Sequence, residues 1–356
     1  MARVTMRDVA KEAGYSVATV SRVLTGSRRV RPDVVQAVRE AQERLGYRTN
    51  QLASALRRQS TATVGMVVPQ IANPFFTALV QAVERSLHRS GHGLLLCDGE
   101  ESPEVEAERV QMLLSRQVDG LLIVPYHAER SAASIREAAE EIPVVQLDRV
   151  VSGAETDSVA VDNEHGMVQV IRHLASQGYR RLGFVGAEPT NSTAAERLQA
   201  YLSHAGEVGA DNTERVWLGD FSTSWGQQAG AMLAATGQVD AVICANDLIA
   251  LGVLDAFAEH GNHGTRARTG KRPAHGRNRT SGQPRLRVPE DVAVTGFDDI
   301  AFATLIRPTL TSVRQPVDEL GAEAVRALLS RLSRTDGRPR KIRIQPDLVV
   351  RQSTAR

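Results

Sequence analysis

Two cysteines, Cys97 and Cys244, are the whole thiol content of a 356-residue chain, and both sit inside aliphatic runs, LLLC and AVIC. Thiols so placed are expected to be buried and free, which argues against a disulfide framework or a cysteine metal site. Aromatic residues make up only 4% of the chain, and no apolar run approaches the roughly 18 residues needed to span a bilayer. The first residues, MARVTMRDVAK, hold no apolar core of a secretory signal. A cytoplasmic protein with no membrane partner is the expectation. Enzyme signatures are missing too: no GxGxxG follows a strand-like run and no GxSxG elbow occurs. GTRARTGKR (264–272) has five residues between its glycines, and Arg272 stands where a phosphate loop needs Ser or Thr for magnesium. His88 and His92 have helical spacing, but Gly91 and Gly93 bracket the second, so they read as surface histidines. Neither a catalytic residue, a metal nor a cofactor is expected.

The net charge of +2 conceals a division along the chain. Residues 1–60 hold 12 Lys and Arg against 5 Asp and Glu, an excess of seven positive charges, which leaves the rest with a net −5. Cations displace the counterions of a duplex, so the basic end is the candidate nucleic-acid contact. Within it, VTMRDVAKEAGYSVATVSRVL (4–24) reads as two short helices around a turn. Thr5 and Asp8 have capping-box spacing, Gly14 suits the left-handed residue that ends a helix, and Ser16 is a good N-cap for the next. Val20, Val23 and Leu24 then face inward and Val17, Ala18, Ser21 and Arg22 outward. Small residues and one arginine on an exposed helix N-terminal half suit a major groove, where Arg pairs bidentately with guanine.

Pro32 opens a third helix whose buried stripe is Val34, Val38, Ala41 and Leu45, and Gly46 ends it. Beyond it, Asn50 to Arg57 is an N-capped segment of two turns, too short to be stable as an isolated helix in water. From Thr61 the chain changes character. Aliphatic runs at 63–69, 93–98, 119–125, 144–148, 158–162, 181–186, 240–247 and 292–299 alternate with amphipathic stretches such as Phe76 to Leu87 and Val105 to Leu114. That pattern predicts βαβ units with parallel sheets, and the number of strands favours two Rossmann-like subdomains over one sheet.

Open parallel sheets bind ligands beyond the carboxyl ends of their strands. The residues that follow the runs are Gln70, Asp98, Tyr126, Asp148, Asp162, Asn246 and Asp298, nearly all polar. Asp162 and Asp247 each precede a helix and read as caps. Asp148, followed by Arg149, and the Asp298–Asp299 pair read as ligand contacts.

The motifs VTMRDVAKEAGYSVATVSRVL, LGYRTNQLASALR, NPFF, VDGLLIVP, ANDLIALG, VPEDVAVTGFDD and LTSVRQP together resemble the lactose/galactose repressor (LacI/GalR) family of bacterial transcription regulators, over nearly the whole chain. The resemblance implies an all-α helix-turn-helix head joined to a periplasmic-binding-protein-like α/β sensor. The chain would cross between the two subdomains near Asp162, Gln315 and Arg343. It implies a head at 1–49, a hinge helix and linker at 50–60, and an effector-binding and dimerisation domain at 61–356. The latter divides into about 61–161 with 316–343, and about 162–315 with 344–356. The residues expected at a palindromic operator are Thr5, Ser16, Val17, Ala18, Thr19, Ser21, Arg22, Asn50 and Leu56. In the family a leucine matching Leu56 wedges into the minor groove. An arginine matching Arg197 grips effector hydroxyls or a carboxylate, and an aromatic matching Phe221 packs beneath a sugar ring.

The expected effector site is Phe75, Phe76, Asp148, Arg197, Phe221, Asn246 and Asp298. Carboxylates, an amide and an arginine around an aromatic platform suit a polyhydroxylated ligand, so a sugar is the expected effector of a homodimeric repressor. A nucleoside or purine stacked on Phe75 and Phe76, or a corepressor mode of action, is the alternative. A solute-binding protein is a remoter one, since the head argues against it. Two departures from the family pattern stand out near the site: Gln70 replaces a common acidic residue, and Glu207 to Asp220 is short. A third is larger. Residues 262–285 intervene between DAFAEHG and LRVPEDVAVTG with seven Lys/Arg, no acid and no Val, Ile or Leu, and are expected to form a flexible basic loop.

Overall fold

A computed structural model describes residues 4–25, 30–47, 60–208, 215–259, 286–333 and 337–355. It separates into two units, 1–62 and 63–356. The described residues of the first unit form three helices, α1 (Met6–Ala13), α2 (Val17–Thr25) and α3 (Pro32–Arg44). Asp8 accepts from the Thr5 backbone N–H at 2.8 Å and from its hydroxyl at 2.7 Å, while Gly14, at φ 72°, ends α1. Ser16 Oγ accepts from the Thr19 N–H at 3.1 Å and starts α2. Val9, Ala10, Val20, Val34, Val38, Ala41 and Tyr47 form the core, with Val23, Leu24 and Leu45 packed at its edge. Tyr47 joins this core from beyond the glycine that ends the third periodic stretch, outside any helical repeat.

The described residues of the second unit form two six-stranded sheets. Its strands are β1 (Thr63–Val68), β2 (Gly93–Asp98), β3 (Gly120–Ile123), β4 (Val144–Leu147), β5 (Asp157–Val161), β6 (Leu182–Ala187), β7 (Val216–Gly219), β8 (Ala241–Cys244), β9 (Ala293–Asp298), β10 (Thr311–Arg314), β11 (Lys341–Ile344) and β12 (Asp347–Val349). Between them run α4 (Pro74–Arg89), α5 (Pro103–Ser115), α6 (Ala132–Glu141), α7 (Asn163–Ser176), α8 (Ser192–His204), α9 (Thr223–Thr236), α10 (Asp247–Glu259), α11 (Phe302–Leu305) and α12 (Val317–Ser333). The orders are β11-β5-β4-β3-β1-β2 and β12-β10-β9-β8-β6-β7. All pairings are parallel except β10 with β12. The chain therefore changes sheet three times, after β5, after β10 and between β11 and β12.

Four strands, β7, β10, β11 and β12, lie outside the eight aliphatic runs. KIRI alternates and leaves Lys341 and Arg343 exposed at the sheet edge, and VWLG is only half-buried throughout, so neither shows a continuous apolar signature. The first lobe is packed on both faces of its sheet, α4 and α12 on one side and α5 and α6 on the other. In the second lobe, α9 and α10 approach so closely that a Cβ on Gly252 would meet the Thr223 carbonyl oxygen at 2.1 Å, and one on Gly226 the Ile249 oxygen at 2.2 Å. That contact fixes the start of both helices and so positions Phe221 and Asn246. Leu248, Leu251 and Ile300 of the second lobe pack on the core of the first, so the lobes are closed on one another. Cys97 and Cys244 are buried and free, and no described helix is long and apolar enough to cross a membrane.

Candidate functional site

On the head, Ser16, Val17, Ala18 and Arg22 are exposed along the first turns of α2, with Thr19 and Ser21 half-buried behind them. Val17 is 42% exposed, a large aliphatic left at the surface of a head with a small core. Ser16 and Thr19 hydroxyls lie 2.9 Å apart, and Thr5 is engaged with Asp8, so Ser16 and Thr5 stand as helix caps in this structure and Thr19 is the residue that Ser16 caps. Asn50 and Leu56 lie outside the described residues, as do the basic stretch 26–29 and the segment 262–285.

In the second unit one cavity gathers Phe75, Phe76, Asp148, Arg197, Phe221, Asn246 and Asp298, the seven residues expected there, together with Asn73, Arg149, Thr193 and Gln315. Gln70, Asp98, Tyr126 and Asp162 do not line it. Gln70 instead donates to Glu101 at 3.2 Å, and Asp162 caps α7 by accepting from the His165 N–H at 2.9 Å. Two details correct the sequence reading. Asn246, not Asp247, is the cap of α10: its Oδ1 accepts from the Ile249 N–H at 2.9 Å, which leaves its N–H donors for the cleft. Asp247 is fully buried and accepts from the Ile300 N–H at 2.8 Å and the Ser312 hydroxyl at 2.6 Å. Asp299 also turns away from the cleft, paired with Arg314 at 2.7 Å and Arg351 at 2.6 Å. Only Asp298 of that pair faces inward.

Backbone geometry marks the same place. Asp148 and Asp298 have φ of 64° and 107°, values that residues with a Cβ rarely adopt. Asp298 is the last residue of β9 and Asp148 the first after β4, both line the cleft, and strain of this kind persists where the surroundings over-determine it. Arg197 is 2% exposed, lies over the Phe297 ring at 3.6 Å, and donates to Asn163 Oδ1 at 2.8 Å and to the Ala245 carbonyl at 2.7 Å. Its Nη1 lies 3.6 Å from Asp298, which accepts from Gln315 Nε2 at 2.8 Å. Arg149 sits 3.8 Å from Asp148, with its guanidinium 5.5 Å from the Phe76 ring centre and 5.6 Å from that of Phe221. Phe76 comes from the first lobe and Phe221 from the second.

Burial dominates the electrostatics. It pushes the Asp298 carboxyl up to about 6, against Arg197 and the Gln315 hydrogen bond, and raises Asp148 against Arg149 and Arg197. The same burial lowers both guanidinium groups. Two carboxylates and two cations leave the cleft neutral overall. Despite the crowding, four polar atoms here have no hydrogen-bond partner: Asp148 Oδ1, Arg149 Nε, Arg197 Nη2 and Gln315 Oε1. They are half of the eight such buried atoms among the described residues, more than any other site of those residues gathers. The enclosed space is about 20 Å³, room for about one water, so a ligand enters only if the lobes part.

Comparison with known proteins bears on both units. Residues 61–352 match the model described as "Periplasmic binding proteins and sugar binding domain of LacI family", and residues 5–50 match "Bacterial regulatory proteins, lacI family". The chain is 32% identical to the HTH-type transcriptional regulator GalR of Escherichia coli strain K12, over 92% of this chain and 88% of that one. It is 29% identical to the HTH-type transcriptional repressor PurR of Mannheimia succiniciproducens, over 98% of each. In fold it is similar to the lac repressor dimer bound to operator and the anti-inducer ONPF, with a TM-score of 0.83, 24% identity and 99% of each chain covered.

Proposed function

The chain belongs to the LacI family of bacterial regulatory proteins, DNA-binding transcriptional repressors that answer to a small molecule, and from that premise we propose that its effector is a neutral monosaccharide bound in the cleft that Phe76, Arg149 and Phe221 line. The observation that carries this reading is the set of four unpartnered atoms in the cleft, two donors (Arg149 Nε, Arg197 Nη2) and two acceptors (Asp148 Oδ1, Gln315 Oε1). A hydroxyl both donates and accepts, so a ring bearing several hydroxyls satisfies such a mixed set where a single-sense ligand cannot. Aromatic faces from the two lobes supply the apolar walls. The balance of two carboxylates with two cations favours an uncharged ligand, because a sugar phosphate would bury charge without a matching cation. A purine stacks equally well but offers fewer groups that both donate and accept.

We also infer a homodimer on a palindromic operator, with Arg22 reading a base edge from the exposed face of α2. Binding of neutral monosaccharides, sugar phosphates and purine nucleosides to the purified protein, followed by calorimetry, tests the effector class. At least one neutral monosaccharide is expected to bind, and Arg197→Ala to remove that binding. Binding of only a nucleoside, or only a phosphorylated sugar, would replace this reading.

A further inference from the structure

Consecutive residues on a helix leave it about 100° apart. On α8 this sends Arg197 into the cleft and Glu196 to the outer side, where Arg343 of β11 meets it at 2.6 Å and 2.9 Å. Arg343 belongs to the first lobe's sheet and Glu196 to the second lobe, so this ion pair bridges the lobes beside the chain crossings. Between the two sides stands Asn163, 1% exposed and the first residue of α7. Its Oδ1 accepts from Arg197 Nε at 2.8 Å while its Nδ2 donates to Glu196 Oε2 at 2.7 Å. Arg343 Nη1 also donates to the carbonyl of Val161, two residues before Asn163, at 3.0 Å.

We propose that Asn163 is a positioning residue that couples the effector-facing Arg197 to the lobe-bridging Glu196–Arg343 pair, a role that rests on reading the cleft as the effector site. A primary amide is the side chain suited to the place, because it offers an acceptor on one atom and a donor on the other. Holding Nε leaves Arg197 Nη2 aimed at the cleft without a partner. The pair has room to re-seat, since a cavity of about 620 Å³ opens alongside Glu196 and Arg343. A shift of Arg197 on ligand binding is thereby passed through one amide to a contact between lobes.

Asn163→Asp separates the two halves of the role. A carboxylate still accepts from Arg197 but repels Glu196, whereas Asn163→Ala loses both contacts. The test uses the full chain, D-ribose and D-galactose as probes, and an operator fragment selected from random DNA. N163D is expected to bind the probe within threefold of wild type yet lose the probe's effect on operator affinity. N163A is expected to bind it at least tenfold more weakly. A second arm needs no ligand: the melting-temperature losses of N163A and Arg343→Ala should fail to add in the double variant, because both break one chain of contacts. Fully additive losses, a normal operator response in N163D, or unchanged probe affinity in N163A would each overturn the coupling. If wild type binds neither sugar, ribose and galactose are excluded as effectors while the melting arm still decides the network.

Discussion

Asp298 carries conflicting demands: a left-handed backbone, near-complete burial, a hydrogen bond from Gln315 and an arginine 3.6 Å away. Burial wins and its carboxyl titrates at about 6, above the ordinary carboxylate value of 3.8. The sign of the stability effect follows. The native state holds this proton more tightly than the unfolded chain, so the associated stability is fully present below the ordinary carboxylate range and is lost as pH rises through about 6. Asp298→Asn should therefore flatten the pH dependence of unfolding between about 4 and about 6, measured by denaturant titration. Effector affinity should move the other way, since the ionised carboxylate is the stronger acceptor: it should fall on acidification from about pH 7.5 to about pH 5 in wild type but not in D298N. A pH profile unchanged by the substitution would place the titrating group elsewhere. On the head, Arg22→Ala should cost about 1–3 kcal/mol on the operator and relax specificity at one base pair per half-site, read by competition against point-substituted sites. An equal loss on operator and random DNA would reduce Arg22 to a phosphate contact. The rule that ligands lie beyond strand ends pointed to Asp148, Asn246 and Asp298 from sequence. It missed Gln315 because TSVR has one aliphatic residue among three polar ones, so no aliphatic run marks the strand before it. Arg149 stood in view beside Asp148, but its place against Phe76 and Phe221 is a product of lobe closure that no local pattern encodes.

At the scale of elements, the helices that set the cleft are placed by small residues. Gly226 and Gly252 let α9 and α10 cross with their backbones in contact, and no flexible side chain stands there to yield. Gly252→Ala should lower stability by about 1–3 kcal/mol or more through overpacking, measured by denaturant unfolding, and should weaken effector binding by moving Phe221 and Asn246 together. Wild-type stability in this variant would show that the two helices can separate at little cost. Helix starts were the most legible features of the chain, since caps act locally: Thr5 with Asp8, Ser16, Pro32 and Asp162 each stand at or just before a helix. Edge strands were the least legible. Half-buried β7 and alternating β11 owe their conformation to a neighbour's backbone rather than to their own hydrophobicity.

For the whole molecule, the two-sheet architecture followed from strand number and the αβ alternation, because a parallel sheet buried on both faces writes itself as aliphatic runs. The return of β11 to the first sheet and of β12 to the second is set by pairing at distant positions, Lys341 to Ile344 along Ser158 to Val161 and Asp347 to Val349 along Ser312 to Arg314. These crossings place Arg343 against Glu196, so a ligand that parts or re-seats the lobes works against a defined contact. Allosteric coupling between ligand and DNA is reciprocal and typically amounts to about 1–3 kcal/mol, or about 5–150-fold in affinity. The most direct measurement is operator affinity as a function of monosaccharide concentration, in wild type and in Arg197→Ala. A monosaccharide that binds the cleft should change wild-type operator affinity by at least about fivefold and leave that of R197A unchanged. Operator affinity indifferent to every neutral sugar that binds, or shifted equally in R197A, would contradict the cleft as the seat of regulation.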